Sequence, residues 1–258
     1  MTHGNDDTTP TVTRKELLEC GVYFGHPASM WNPKMKPYVF QKRKGVYILD
    51  LKQTIPRVEE AVYLVIETVK NGGNILFVGT KTQARETIQE CAERCNMPYM
   101  IQRWPGGFLT NWAEISPRLG ILREHLKSGS EEKTKHMTKR EKSLWDTKIG
   151  RMERLLGGAV ELESPPDLLF LADVHHDRIA VDEAVISGVG VIGILDTNCN
   201  PDGVTVGIPG NDDAVGSISL LAGKIADAVV EGLRLRESGA GEEEPTEPDE
   251  IPLEDDKE

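Results

Sequence analysis

The sequence predicts an open, doubly wound α/β domain with a mostly parallel sheet, an inserted antiparallel helical hairpin and a disordered acidic tail. Three observations carry that expectation. The stretches 75–79 (ILFVG), 167–172 (DLLFLA) and 189–196 (VGVIGILD) are continuous, mainly apolar runs followed by helical patterns. Unbroken runs, rather than alternating ones, suit parallel strands covered on both faces. Residues 116–157 contain no strand-like run, and residues 238–258 are rich in Glu, Asp and Pro with almost nothing apolar.

In chain order, residues 1–11 read as a flexible N-terminus, and the sheet domain spans 12–115 and 158–237. Val58, Val62, Val65 and Val69 repeat at helical spacing, as do Ala84, Ile88, Cys91 and Cys95, and Ile218, Leu221, Ile225 and Val229. Strand–helix alternation of this kind points to a doubly wound sheet. Within 116–157, Ser116 before Pro117 has the form of an N-cap followed by proline at the first helical position. Leu119, Leu122 and Leu126 then fall on one side. Thr138 and Glu141 have capping-box spacing, and Trp145, Ile149, Met152 and Leu156 follow them. The polar stretch SGSEEKTKHM joins the two helices. The tail, from Ser238, cannot bury enough surface to offset its ordering entropy.

The formal net charge is −12, which argues against nucleic acid until it is divided along the chain. Residues 11–160 sum to +9, whereas 161–240 sum to −10 and 241–258 to −9. No apolar run is long enough for a transmembrane helix, and the first residues, MTHGNDDTTP, resemble neither a signal nor a transit peptide. A cytoplasmic protein is the expectation. Four cysteines, Cys20, Cys91, Cys95 and Cys199, imply no disulfide framework. Cys91 and Cys95 read as small buried side chains rather than half a zinc site.

Four places can carry chemistry. Between Lys34 and Lys44 lie five basic residues and no acid, beside Trp31 and Tyr38. Cations neutralise phosphates and aromatics stack on unpaired bases, so RNA contact is expected. The plainer alternative is a solvated positive face with Trp31 and Tyr38 on the core. RWPGGFLTN at 103–111 reads as a hinge or docking corner. GTKT at 79–82 follows a strand, but the glycine spacing fits neither phosphate-binding pattern. DVHHD at 173–177 stands where sheet ligands bind, yet a helix start capped by Asp177 is the simpler reading than a metal site. No nucleophile–base arrangement stands out. No catalytic residue, cofactor or metal is expected.

GVYFGH (21–26), WNPKMKPY (31–38), GVYILDLKQT (45–54), ILFVGTK (75–81), RWPGGFLTNW (103–112), LLGG (155–158), PDLLFLAD (166–173) and GVGVIGILDTNCNPDGVTVGIPGNDDA (188–214) occur in this order. On these stretches the chain resembles the family of the second protein of the bacterial small ribosomal subunit, over roughly residues 12–236. The resemblance implies a flavodoxin-like sheet with a protruding coiled-coil hairpin. It implies binding to small-subunit ribosomal RNA and docking of neighbouring proteins, including the large multi-domain protein that captures messenger RNA. It implies no catalysis and no membrane. Pro105, Pro117 and the long acidic tail depart from the family pattern. The candidate RNA contacts are His26, Trp31, Asn32, Lys34, Lys36, Lys42, Arg43, Lys44, Arg103, Lys133, Lys135, Lys139 and Arg140. The competing classes are a nucleotide-dependent enzyme and a metal-binding regulator.

Overall fold

The computed structural model describes residues 11–128 and 137–239. A five-stranded parallel sheet forms its centre: β4 (Ile75–Val78), β5 (Tyr99–Met100), β6 (Leu168–Leu171), β7 (Gly190–Leu195) and β8 (Val206–Pro209), in the order β5-β4-β6-β7-β8. The chain leaves β4 toward β5 on one side and builds β6 to β8 on the other. The order therefore reverses between β4 and β6, the topological switch point of a doubly wound sheet. The registers Ile75↔Leu168 and Leu168↔Gly190 align the three apolar runs side by side.

Every residue of β4 and β6 is buried, which explains why those runs show no alternation. One face packs on α2 (Leu51–Lys70), α3 (Arg85–Arg94) and α7 (Val215–Gly239), through Val58, Val65, Ile88, Cys91, Ile218 and Ile225. The other packs on α6 (Arg178–Ser187) and on the inner sides of α4 (Trp112–Ser128) and α5 (Lys139–Leu156). A short helix, α1 (Arg14–Glu19), is closed by a capping box between Thr13 and Glu16.

The hairpin expectation stands with a shifted start. The first helix begins at Trp112, and Pro117 lies inside it. Proline there removes one helical N–H. Ile115, Leu119 and Leu122, all buried, hold the turns on either side of it. Thr138 and Glu141 form the predicted capping box. Leu126, expected on the buried side, is half exposed. Arg123 fastens the base of the hairpin by donating to the carbonyls of Val160 and Leu162 at 2.8 and 3.1 Å.

Two strands were not evident in the sequence, β5 and β8. So was a second sheet, β1 (Phe24–Pro27), β2 (Val39–Arg43) and β3 (Val46–Leu49), antiparallel in the order β1-β3-β2. At the tail, α7 continues through Gly239. Ser238, where disorder was expected to begin, sits in its last turn with its hydroxyl donating to the carbonyls of Arg234 and Leu235. The remainder of the predicted tail, residues 240–258, the flexible-terminus expectation at 1–10 and the hairpin loop 129–136 lie outside the described residues.

Candidate nucleic-acid interface

The basic segment folds as a 3-10 turn, Pro33–Tyr38, followed by the β2–β3 hairpin. Asn32 starts the turn: its side chain accepts the Lys34 N–H at 3.0 Å. Met35 is fully buried and anchors the turn to the body. At the hairpin tip Lys44 takes a left-handed conformation, φ 49°, and Gly45 follows at 83°. Such a turn favours glycine and lets two strands reverse tightly.

Lys36, Lys42, Arg43 and Lys44 are exposed together, with no acidic residue between Cys20 and Leu49. Lys42 Nζ stands 6.0 Å from the centre of the Tyr47 ring. Trp31 packs half-buried against the same ring at 5.3 Å, and its indole Nε1 is buried without a hydrogen-bond partner among the described residues. Lys34 is drawn to Asp202. Arg103 is exposed beside Trp104 and His176, and Lys139 and Arg140 are exposed at the start of α5. Lys133 and Lys135 lie outside the described residues.

His26 points elsewhere. Its Nδ1 lies 3.1 Å from Asp196 Oδ2 and its Nε2 3.3 Å from Asp213 Oδ2. The Asp196 hydrogen bond outweighs burial and lifts its pKa to about 9. It thus belongs to a polar cluster at the carboxyl ends of β4, β6, β7 and β8. Lys81, from GTKT, donates there to Asp212 at 2.7 Å, Asp173 at 3.0 Å and Asp213 at 2.6 Å. Burial works against that ammonium, but the carboxylates prevail and raise its pKa. Asp212 is fully buried, and desolvation, with Asp173 and Asp196 nearby, pushes its pKa up to about 7.

The DVHHD residues divide between structural tasks. Asp173 holds Lys81. Asp177 precedes α6 but makes no capping bond, correcting that expectation; it accepts the Thr80 hydroxyl at 2.6 Å instead. His175 and His176 are exposed.

The corner at 103–111 closes on a residue the sequence reading missed. Glu183, buried on α6, accepts Trp104 Nε1–H at 3.1 Å and the N–H groups of Gly107, Leu109 and Thr110 at 2.7–3.3 Å. Burial alone would raise its pKa, but these donors together hold it low. The available signal was an acid among buried positions of an apolar helix, Ala180, Val181 and Ala184. Asp196, Asp212 and Asp213 were missed as well, although each follows a strand.

Among the described residues no helix is long and apolar enough to cross a membrane. The family model described as ribosomal protein S2 matches residues 17–232. The small ribosomal subunit protein uS2 of Clavibacter michiganensis is 47% identical over 222 residues, covering 86% of this chain and 70% of the relative. That of Clavibacter sepedonicus is also 47% identical, with 69% of its length covered. With a matching model across most of its length and relatives this similar, the chain belongs to the ribosomal protein S2 family.

Proposed function

We propose that the chain is a non-enzymatic structural constituent of the small ribosomal subunit in the cytoplasm, binding small-subunit ribosomal RNA through the β2–β3 hairpin. The observation that carries this reading is the exposed group Lys36, Lys42, Arg43 and Lys44 in a stretch without acids, on a chain of net charge −12. Those cations sit on a turn of defined geometry, so they meet a phosphate backbone at fixed positions. Arg103, Lys139 and Arg140 extend the contact along the body and hairpin, with Lys133 and Lys135, which fall between the two helices in the sequence, as further candidates. Trp31 supports β3 through Tyr47 and keeps this face rigid. Docking of neighbouring small-subunit proteins, including the large messenger-capturing protein, completes the role and rests on family membership.

The test is sedimentation of the full chain with small subunits at several salt concentrations. Each phosphate contact adds about one unit to the salt slope of binding. Replacing Lys42, Arg43 and Lys44 with Gln flattens that slope by about 2–3 units. Free chain at the top of the gradient would reject the ribosomal role. An unchanged slope would reject this face.

A further inference from the structure

The β2–β3 hairpin carries an apolar feature that its cations do not explain. Phe40 stands two positions before Lys42 on β2 and is 65% exposed. Pairing with β3 shifts register between Val39 and Gln41, so Phe40 is the extra residue of a β-bulge. A bulge re-aims the side chain it carries. β2 is also an edge of the small sheet, and among the described residues no strand lies beyond it. A ring this open contributes little to the core.

Phe40 lines a groove of about 300 Å³ between α1, β2, β3 and the start of α2. Leu18, itself 46% exposed, Tyr23 and Ile48 supply more of its apolar surface. Exposed apolar groups gathered in one place and edged by polar ones mark a contact surface. The Tyr23 ring is held by Phe24, with 4.1 Å between ring centres. Arg14 and Lys52 also line the groove, and neither is ion-paired among the described residues. The acid present, Asp50, is occupied in capping α2, where its carboxylate accepts the Lys52 N–H at 3.0 Å. The groove thus offers an aromatic, apolar surface with uncompensated cations beside it. Lys42, about 7 Å further along the extended strand, continues the positive charge toward the hairpin tip.

We propose that this groove receives one unpaired base of small-subunit ribosomal RNA, stacked on Phe40 and Tyr23, with the flanking phosphates met by Arg14, Lys52 and Lys42. The inference rests on the RNA-binding reading of the basic hairpin and names what that face recognises. Where RNA is read outside its helices, splayed bases stack on aromatic side chains. A duplex presents its phosphates, and cations alone would suffice for it. An apolar segment of a neighbouring protein would fill the groove without using the cations around it. Aromatic rings and uncompensated cations in one place fit a base together with its phosphates.

The experiment uses the full chain and small subunits depleted of this protein. Affinity is read by sedimentation at several salt concentrations. The bound complex is irradiated with short-wavelength ultraviolet light, digested, and searched by mass spectrometry for nucleotide adducts. Phe40→Ala weakens binding by roughly 5- to 150-fold, the worth of one lost base stack. The salt slope stays as in the wild type, since stacking releases no counterions. Phe40→Trp restores affinity, and thermal melts of both variants match the wild type because the ring is exposed. In the wild type, Phe40 or Tyr23 carries a nucleotide adduct. Unchanged affinity in Phe40→Ala overturns the proposal, and so does a loss that Phe40→Trp does not repair. A loss with no adduct on either ring assigns the groove to a neighbouring protein and also overturns it. Wild type left at the top of the gradient rejects the RNA-binding reading and this one with it. Bound wild type, a flattened slope on replacing Lys42, Arg43 and Lys44, and an unaffected Phe40→Ala reject this one alone.

Discussion

At the scale of single residues, Glu183 shows how one buried acid fixes a corner. Four N–H donors from residues 104–110 converge on its carboxylate. Glu183→Ala leaves them unpaired, and urea melts should show a loss of about 2–4 kcal/mol. The pH dependence follows from the lowered pKa. A carboxyl held below its unfolded value, about 4.3, stabilises above that value and loses the contribution as pH falls through the folded one. The stability gap between wild type and Glu183→Gln should therefore be widest near neutrality and shrink in acid; a gap independent of pH would refute it. Such residues were hard to read because their partners are 73–79 positions away. The lysine run was readable because it is local. His26 precedes that run, and its direction was not legible for the same reason: distant Asp196 and Asp213 decide it.

At the scale of elements, the strands with unbroken apolar runs and the helices with regular apolar repeats were legible. So was the capping box at Thr138. Thr138→Ala should cost about 1 kcal/mol in a thermal or urea melt. β8 was not legible because VGIP carries both Gly207 and Pro209, which depress strand propensity. Its place at the sheet edge accommodates the proline. The small sheet escaped notice because its strands have only four or five residues. The start of α4 was misplaced because burial of Ile115 outweighs the local signal of Ser116–Pro117. Gly158 marks where the hairpin returns to the sheet. A Cβ there would stand 2.5 Å from the Tyr99 carbonyl oxygen and ring. Gly158→Ala should destabilise by about 1–3 kcal/mol, and a neutral melt would show that the hairpin base yields more readily than its packing implies.

At the scale of the whole molecule, charge is separated along the chain, with cations on the front part and acids on the back part and tail. The core ends with α7, whose last buried apolar residue is Val229. Removing residues 240–258 should leave the melting temperature unchanged within error, and a large drop would show that the tail is structural. The basic sheet is tied to the body by residues far along the chain. Thr197 Oγ1 accepts the His26 N–H, the Thr197 carbonyl accepts the Asn32 N–H, and the Asn211 N–H reaches the Val22 carbonyl. This attachment governs the timing of synthesis. A nascent chain has made the lysines of this sheet long before the ribosome reaches Thr197, yet the bonds that fix the sheet to the body are still missing. The basic surface is thus among the last parts to be seated on the body, and a chain interrupted before Thr197 carries the charges without that seat.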